Sequence, residues 1–411
     1  MIGTPLAPSA QDHIAGVAPE RVYEPASIDD LIAVVRESAR ARDAIVVIGG
    51  GTELELGAPP QRLDAVIRTR CCAGLVEYAP LDQVITVEAG MTLAQLQHIT
   101  GEHQQRLAID APQPQRATIG GIIAANTFGP LRTRFGSIRD VIVGVSLVRA
   151  DGTLVRGGGK VVKNVAGFDI PRLVVGSLGS LGVIATATLR LHPLPETAAS
   201  VYVRGLDAAQ VRALARQIRA LQLEPSVMIA QLGAQGYGVT FRFEGFAAGV
   251  SAQIEVLASA AGTLGHAWEV AAAPGLSELE AAHDAARVSG DLRLKFSALP
   301  ATFENVHERV IRPLTELLAA AQCVWYPYAG CGFIAGSAAH DPGRIGQTLR
   351  DARAVLEGAE GSLVLHAAPP PIRALVEPWG TPPSAFAVMQ RLKDRFDPEG
   401  RLCPGRFVGG L

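Results

Sequence analysis

The chain has 411 residues, of which 48% are hydrophobic, and it contains 44 glycines and 27 prolines. This length and composition predict a compact, turn-rich fold of two or three domains and argue against disorder. The 37 basic and 39 acidic residues leave a net charge of −2 without a basic run interleaved with aromatic residues, which argues against nucleic acid as a partner. A small-molecule ligand is therefore the better expectation.

The first ten residues and the cysteines indicate the chain's environment. Residues 1–10 lack a basic segment followed by an apolar one, and no stretch approaches about eighteen uninterrupted apolar residues. We therefore expect a soluble, cytoplasmic chain. The five cysteines are odd in number and form no CxxC pair, which argues against a disulfide framework, a zinc site or an iron–sulfur cluster held by this chain alone.

The first two hundred residues alternate short β-rich runs with glycine and proline turns. The predicted elements are a helix from Ser27 to near Arg42, strands over 44–48 and 84–90, a helix from Thr92 through Ile99, and a hairpin over 141–155. This mixture is not a regular βαβ series. It predicts mixed sheets and helices in the first part of an α+β fold.

From about Ala199 the predicted strands and helices become longer. They are strand 200–203, helix 208–223, strands 226–230 and 238–244, helix 248–261, helix 303–321, strands 323–328 and 332–335, helix 342–357 and strand 362–366. Their order indicates split βαβ units of the ferredoxin-like type. We predict a second domain over 201–380 and a segment over 381–411, including a helix over 385–396, that returns to the first domain (1–200).

Two glycine-rich turns about seventy residues apart are the most informative motifs. One follows a buried strand and reads VVIGGGT over 46–52, and the other reads ATIGGIIAAN over 117–126. Because glycine has no side chain, backbone N–H groups in such turns can approach an anion closely, and two such turns predict the two halves of one cradle. The chain has no GxGxxG opening a helix and no GxxxxGK[ST], so neither a Rossmann site nor a P-loop is supported.

Two further motifs follow the turns, and the four together resemble a known family. Residues 134–140 read RFGSIRD and residues 175–185 read VGSLGSLGVIA. In sequence and order the four segments resemble the FAD-binding flavoproteins of the vanillyl-alcohol oxidase and p-cresol methylhydroxylase type. The resemblance implies a two-part FAD-binding domain with its pyrophosphate loop near 47–54, followed by an α/β cap domain.

The resemblance also implies which residues contact FAD. They lie in the two glycine-rich turns, in the segment beside the isoalloxazine and in the adenine-side motif: Val47, Ile48, Gly49, Gly50, Gly51, Thr52, Glu53, Leu54, Thr118, Gly120, Gly121, Gly129, Gly136, Ser137, Asp140, Gly179, Gly182, Val183 and Ile184. Because no histidine lies between Gly49 and Glu55, a histidyl-flavin bond at that loop is not expected. We predict non-covalent FAD.

A narrower resemblance extends along the chain to its C-terminal part. Residues 158–169 (GGKVVKNVAGFD), 171–173, 392–398 and 404–406 resemble the smaller FAD-binding subunits of bacterial glycolate oxidases. This implies a small 2-hydroxy-acid substrate, and as partners a larger homologous flavin subunit and an iron–sulfur subunit, with any membrane contact only through those partners. Cys403 departs from the pattern, because these subunits more usually carry Asn there.

The sequence does not identify the catalytic residues. The nine histidines are dispersed without a short-spaced pair. His366 follows an apolar strand, and a histidine in that position is either a packed or a catalytic side chain. Lys160, Lys163 and Arg172 either stabilise a reduced flavin or belong to a solvated or interfacial loop. Three functions therefore stay open: a flavin subunit of an oxidase, a self-sufficient dehydrogenase of a hydroxy acid or alcohol, and a non-catalytic scaffold.

Overall fold

The computed structural model describes residues 5–160, 167–264, 268–269 and 276–411. Its strands are β1 (Arg21–Tyr23), β2 (Ile45–Ile48), β3 (Ala65–Arg68), β4 (Leu75–Ala79), β5 (Val84–Glu88), β6 (Gln105–Arg106), β7 (Ile142–Val148), β8 (Leu154–Gly158), β9 (Val183–Arg190), β10 (His192–Pro193), β11 (Thr197–Leu206), β12 (Val227–Gly233), β13 (Gly236–Gly245), β14 (Trp268–Glu269), β15 (Leu292–Ser297), β16 (Leu318–Tyr326), β17 (Cys331–Ala338) and β18 (Ser362–Ala367).

The α-helices range from single turns to eighteen residues. They are α1 (Ile28–Ala41), α2 (Leu93–Gly101), α3 (Ile119–Ala125), α4 (Arg132–Phe135), α5 (Ile138–Val141), α6 (Ile170–Leu173), α7 (Ala208–Ala220), α8 (Ala247–Leu264), α9 (Leu276–Val288), α10 (Phe303–Val306), α11 (Arg312–Thr315), α12 (Pro342–Glu357), α13 (Pro370–Arg373) and α14 (Phe386–Phe396). Within the described ranges, none of these helices combines the length and apolarity needed to cross a membrane.

Contacts divide the described chain into two units. The first comprises residues up to 128 together with 137–194 and 381–411, and the second comprises 129–136 and 195–380. The boundaries at residues 200 and 380 read from the sequence stay predictions. The short segment 129–136 has its contacts with the second unit although its neighbours on both sides belong to the first.

The first unit contains two main sheets. A parallel sheet has the order β1-β3-β2, and an antiparallel sheet has the order β4-β5-β9-β7-β8. The apolar side chains of α1, including Leu31 and Val35, share a core with Ile45 and Ile67 of the parallel sheet. Ser27 caps α1 as expected, because its hydroxyl oxygen accepts a hydrogen bond from the N–H of Asp30.

The second unit is built on one antiparallel sheet of eight strands, in the order β14-β11-β13-β12-β16-β17-β15-β18. A large core lies on one face of this sheet and includes Phe296, Trp325 and Leu365. Helices α7, α10 and α12 contribute Val211, Phe303 and others to the same core. The predicted α+β class, with mixed sheets in one part and a split βαβ part in the other, is confirmed.

One predicted element is wrong. The sequence of residues 303–321 predicts one helix, but the helix breaks into α10, a π-helical turn over His307–Ile311 and α11, and residues from Leu318 onward form β16. Pro313 has no N–H to donate, and a π-helical turn precedes it. The alanines at 319–321 favour a helix by propensity, but pairing of β16 with β17 overrides it.

Candidate functional site

The two glycine-rich turns lie against each other in the first unit. A Cβ atom on Gly49 would overlap the hydroxyl of Thr118, and one on Gly50 would overlap the carbonyl oxygen of Arg116. Arg116 also donates a hydrogen bond from its guanidinium to the carbonyl oxygen of Gly50, at 3.3 Å. These glycines are therefore needed first for the approach of one turn to the other, and the two predicted halves of the cradle meet.

The first turn offers a run of backbone donors. Gly51 has a φ of +69°, which favours glycine, and it follows the end of β2. Within the part of the chain that the structure describes, the N–H groups of Gly49, Gly50, Gly51 and Thr52 donate no hydrogen bond, and all four residues are partly exposed. Consecutive N–H groups in such a turn form a concave site for an anion such as a pyrophosphate.

The second turn continues into α3, and the third glycine-rich segment joins its end. Thr118 caps α3 by accepting a hydrogen bond from the N–H of Gly121 at 3.3 Å. At the other end of α3, the N–H groups of Gly176 and Leu178 donate to the carbonyl oxygens of Ile123 and Ala124. The 117–126 and 175–185 motifs are thus physically joined.

Asn126 lies at this junction. It ends α3 with a φ of +51°, and a Cβ atom on Gly176 would lie 3.6 Å from its side chain. Its Oδ1 atom is buried and has no hydrogen-bond partner among the described residues. A buried amide without a partner is costly, so this atom indicates a place for a polar group of a ligand. As an acceptor it suits a hydroxyl donor of a ligand, and a contact of Asn126 with FAD stays a prediction.

The C-terminal segment holds the loops of the first unit in place. The ammonium of Lys393 on α14 is buried and donates to the carbonyl oxygens of Ser180 and Leu402 at 3.0 and 2.7 Å, and to the Asp397 carboxylate at 2.7 Å. Arg406 donates to the carbonyl oxygens of Leu54 and Leu56. The motifs over 392–398 and 404–406 therefore brace the 175–185 motif and the residues that follow the first glycine-rich turn.

The other predicted cofactor residues are placed as follows. Val47, Ile48, Val183 and Ile184 lie in β2 and β9, and all but the half-buried Val47 are buried. A Cβ atom on Gly182 would lie 2.6 Å from Leu147, and one on Gly179 would lie 3.5 Å from the thiol of Cys403. Gly129 and Gly136 belong to the segment grouped with the second unit. A contact of each with FAD stays a prediction.

Ser137 and Asp140 form a capping box around the short helix α5. The N–H of Ser137 donates to the Asp140 carboxylate at 2.8 Å, and the Ser137 hydroxyl accepts from the N–H of Arg139 at 3.4 Å. Asp140 thus holds this loop by accepting a backbone hydrogen bond. Any direct contact of the two residues with a flavin stays a prediction.

The basic residues near 160–172 have acidic partners on the surface. Lys160 forms an ion pair with Glu77, and Arg172 lies 3.6 Å from Asp169; all four side chains are about half exposed. Lys163 lies outside the described residues. These pairs fit the solvated-loop interpretation better than a flavin role for Lys160 and Arg172, because exposed pairs are screened by water.

The sequence reasoning missed a cationic aromatic cluster in the second unit. Phe333 of β17 lies at its centre, with the guanidinium of Arg287 5.0 Å from its ring centroid. The ring centroids of His283 and His366 lie 5.5 and 6.0 Å from that of Phe333. Thus two histidines 83 positions apart in sequence contact one ring, which spacing along the chain does not reveal.

Basic groups surround this cluster. Lys295 of β15 is paired across the sheet with Phe333, and Tyr326 has its ring 5.7 Å from that of His283. Burial raises the pKa of the neighbouring Cys331 thiol, and the charges of Arg132, Lys295 and Arg287 oppose that rise. Three cations therefore act on one buried thiol among aromatic rings. Among the residues the structure describes, no group of three or more His, Cys, Asp or Glu could hold a metal ion.

Comparison with known proteins identifies a domain family over part of the chain. Residues 19–158 match the FAD binding domain family. The chain is 34% identical over 174 residues to glycolate oxidase subunit GlcE of Escherichia coli K12, covering 42% of this chain and 49% of that protein. It is 33% identical over 172 residues to D-lactate dehydrogenase of Archaeoglobus fulgidus, covering 42% of this chain and 38% of that protein.

Two further comparisons concern another subunit and the fold. Glycolate oxidase subunit GlcD of Bacillus subtilis is 31% identical over 193 residues, covering 46% of this chain and 41% of that protein. Matched segments of the chain thus span about half or less of the length of these relatives. The structure of p-cresol methylhydroxylase with substrate bound superimposes with a TM-score of 0.74 at 14% identity, covering 95% of this chain and 88% of that one.

These findings confirm an FAD binding domain in the chain and FAD as the cofactor predicted from the motifs. The chain carries an FAD binding domain, and its fold is that of p-cresol methylhydroxylase. The joined loops, their open N–H donors and the buried Oδ1 of Asn126 fit FAD on the chain's own geometry.

Proposed function

We propose that the chain is an FAD-binding subunit of a multi-subunit oxidase or dehydrogenase of glycolate or a related 2-hydroxy acid. One observation carries the proposal: the glycine-rich turns meet and leave a run of N–H donors open within an FAD binding domain. The similarity to two proteins named as glycolate oxidase subunits supports the substrate class and a multi-subunit setting. When bound, FAD supplies the two-electron acceptor that oxidation of an alcohol needs.

The cationic aromatic cluster supports a carboxylate substrate. Oxidation of a 2-hydroxy acid requires a cation for the carboxylate and a base for the hydroxyl proton. Arg287 and Lys295 supply positive charge on one face of the eight-stranded sheet, and His366 supplies a group able to accept a proton there. We propose that these three residues bind and orient the 2-hydroxy acid.

The proposed partners are a larger homologous flavin subunit and an iron–sulfur subunit. None of the cysteines in this chain is spaced to hold a cluster, so electrons leaving the flavin need an acceptor elsewhere. A cytoplasmic location and non-covalent attachment of FAD belong to the same proposal. Two alternatives compete with it: a self-sufficient dehydrogenase and a scaffold without turnover.

Anaerobic reduction of the flavin separates these functions. The tagged chain is purified from its natural host under mild conditions, and glycolate or D-lactate is added in the absence of oxygen. We expect the chain to co-purify with a larger flavoprotein and a brown iron–sulfur protein, and the flavin absorbance of that complex to bleach. Full bleaching of the isolated chain at the same rate would favour the self-sufficient dehydrogenase, and a chain that stays colourless after addition of FAD would favour the scaffold.

A matched pair of variants tests the carboxylate site. Lys295→Gln removes one cation of the cluster, and we expect the substrate concentration for half-maximal flavin reduction in the complex to rise roughly tenfold or more. Arg344→Gln removes an exposed cation of α12 and should leave it unchanged. Equal behaviour of the two variants would contradict the assignment of Lys295.

A further inference from the structure

Arg116 contacts the first glycine-rich turn at a single peptide group, the one between Gly50 and Gly51. Its Nη2 atom donates a hydrogen bond to the carbonyl oxygen of Gly50 at 3.3 Å. A Cβ atom on Gly51 would lie 3.7 Å from the same Nη2 atom. The guanidinium therefore lies against the carbonyl side of this peptide.

The backbone that carries Arg116 is anchored. The N–H groups of Arg116 and Ala117 both donate to the carbonyl oxygen of Gln113 at 2.8 Å, which closes a turn over 113–116. The Nη1 atom of Arg116 donates to Oε1 of Gln113 at 3.2 Å. A closed turn and a second side-chain hydrogen bond thus direct the exposed guanidinium to the carbonyl of Gly50.

The orientation of the Gly50–Gly51 peptide decides which of its polar atoms faces an anion in the cradle. In a trans peptide the carbonyl oxygen and the N–H point in opposite directions. Since the carbonyl of Gly50 points to Arg116, the N–H of Gly51 points away from the guanidinium, and it donates to no described residue. Rotation of this peptide by half a turn would put the carbonyl oxygen in place of the donor, and that oxygen would repel an anion.

The φ angle of Gly51 shows that this peptide has a second orientation within reach. Its value of +69° is close to that of the third residue of a type II turn, and half a rotation of the preceding peptide gives the negative φ of a type I turn. Glycine adopts both. The nearest atoms to a Cβ on Gly51 lie at 3.7 Å, an ordinary contact, so glycine is needed here for its φ rather than for space.

We propose that Arg116 is a positioning residue for the cofactor, which holds the Gly50–Gly51 peptide with the N–H of Gly51 turned toward the ligand. Its hydrogen bond stabilises only the orientation that presents the donor, and the apparent Kd falls as the fraction of binding-competent chains rises. A cation at the carbonyl end of the peptide also polarises the N–H at the other end. This role rests on the proposed use of the first glycine-rich turn as an FAD site, and Arg116 is not among the residues predicted to contact FAD.

Substitutions of Arg116 are tested by titration of the full-length apoprotein with FAD, followed by the quenching of flavin emission. Arg116→Met keeps much of the aliphatic side chain and removes every donor, and we expect the Kd for FAD to rise roughly tenfold. Arg116→Lys retains a cationic donor and should recover most of the affinity. Arg40→Met is the matched control on α1, where the arginine side chain is 78% exposed, and it should bind FAD as the parent does.

Substitutions of Gly51 test the orientation itself. Gly51→Ala adds a Cβ atom without overlap but disfavours the positive φ, so we expect the Kd for FAD to rise roughly tenfold. Asparagine tolerates a positive φ better than alanine does. Gly51→Asn should therefore bind FAD more tightly than Gly51→Ala, although its side chain is larger.

Three results would overturn the role of Arg116. The first is an equal Kd for Arg116→Met and Arg40→Met. The second is an Arg116→Lys protein that binds FAD no better than Arg116→Met, and the third is a Gly51→Asn protein that binds no better than Gly51→Ala, because lost contacts rather than orientation would then explain the weaker binding. A parent chain that binds no FAD would instead contradict the cofactor site itself, so the two failures are distinguishable.

Discussion

At Gly50, the absence of a side chain decides how closely the two glycine-rich turns approach each other. Its Cα faces the carbonyl of Arg116 so closely that any Cβ atom would overlap that group. Alanine at this position must push the two glycine-rich turns apart, because backbone on the opposite side cannot rotate away as a flexible side chain can. The substitution therefore displaces the two halves of the cradle relative to each other.

Gly50→Ala should therefore weaken FAD binding. Each hydrogen bond to a charged group is worth about 1.5–3 kcal/mol, so loss of alignment of even one N–H donor predicts a roughly tenfold or larger rise in the Kd for FAD. The measurement is titration of the apoprotein with FAD. Gly101→Ala is the matched control, because a Cβ atom there meets nothing within 4 Å. A Gly50→Ala protein that binds FAD as tightly as the control would contradict the role of the contact.

Asp12 provides a pH-dependent test at the same scale. Its buried carboxylate accepts two hydrogen bonds from Arg68, both at 2.8 Å, and one from the N–H of Ser9. Burial alone would raise the pKa of Asp12, but the hydrogen bonds from Arg68 and Ser9 and the charge of Arg68 outweigh it, so the pKa lies below its usual 3.8. A lowered folded-state pKa stabilises the protein above the unfolded value and loses that effect as the pH falls.

Asp12→Asn should accordingly cost about 2 kcal/mol of unfolding free energy near neutral pH. The difference from the parent should shrink as the pH falls through the folded-state pKa of Asp12, where the parent carboxyl also becomes neutral. Urea unfolding at a series of pH values measures this difference in the free energy of unfolding. Asp394→Asn, at an exposed position of α14, serves as the control, and a destabilisation by Asp12→Asn that does not change with pH would contradict the account.

At the scale of elements, helix α14 acts through one buried side chain. The ammonium of Lys393 has the Ser180 and Leu402 carbonyl oxygens and the Asp397 carboxylate around it, and Asp397 also accepts from the N–H of Leu402. The helix therefore holds the 175–185 motif against the C-terminal segment. Removing the lysine leaves a buried carboxylate without its counter-charge, which is more costly than removing both members.

Lys393→Met should destabilise the protein by about 3 kcal/mol or more. Lys393→Met combined with Asp397→Asn should recover part of that loss, because the buried charge is then gone from both sides. Thermal and urea unfolding of the two variants test this. Arg391→Met, on an exposed position of the same helix, should be close to neutral. Strictly additive effects of the two substitutions would show that the pair is not coupled.

Local signals were sufficient for the loops and many elements of the first unit. Helices α1 and α2 begin directly after Ser27 and Thr92, as the capping chemistry of these two residues predicts. The hairpin of β7 and β8 turns at Asp151 and Gly152, two residues typical of such a turn. Capping, glycine turns and alternation act over a few residues, so a single sequence displays them. The same glycines allow the two turns to make contact at Gly50 and Arg116, because they carry no side chain.

The second unit was less accessible to sequence reasoning. β15 alternates buried Leu292, Leu294 and Phe296 with Arg293, Lys295 and Ser297, a pattern typical of a strand that is absent from the predicted elements. The cluster around Phe333 was missed because its members come from α9, β15, β16, β17 and β18 and meet only through the order of the sheet. No spacing along the chain encodes that meeting.

At the scale of the whole molecule, the binding of FAD and the oxidation of a substrate are supported by different observations. The FAD binding domain is identified over residues 19–158, while matched segments cover only 38–49% of the relatives whose names include glycolate, lactate or an oxidase subunit. Binding of FAD is thus a property of the domain itself. Oxidation of a 2-hydroxy acid together with partner subunits stays the proposal that the cationic aromatic cluster and these similarities support.

The most direct measurement of the central claim is the visible spectrum of the purified chain, followed by acid precipitation. We expect a flavin spectrum with FAD equimolar to the chain, and we expect the acid supernatant to take all the yellow colour, because no histidine between Gly49 and Glu55 offers a covalent link at that loop. Colour retained in the pellet would contradict non-covalent attachment. A colourless chain that binds no added FAD would contradict the assignment of the joined glycine-rich turns as a cofactor site.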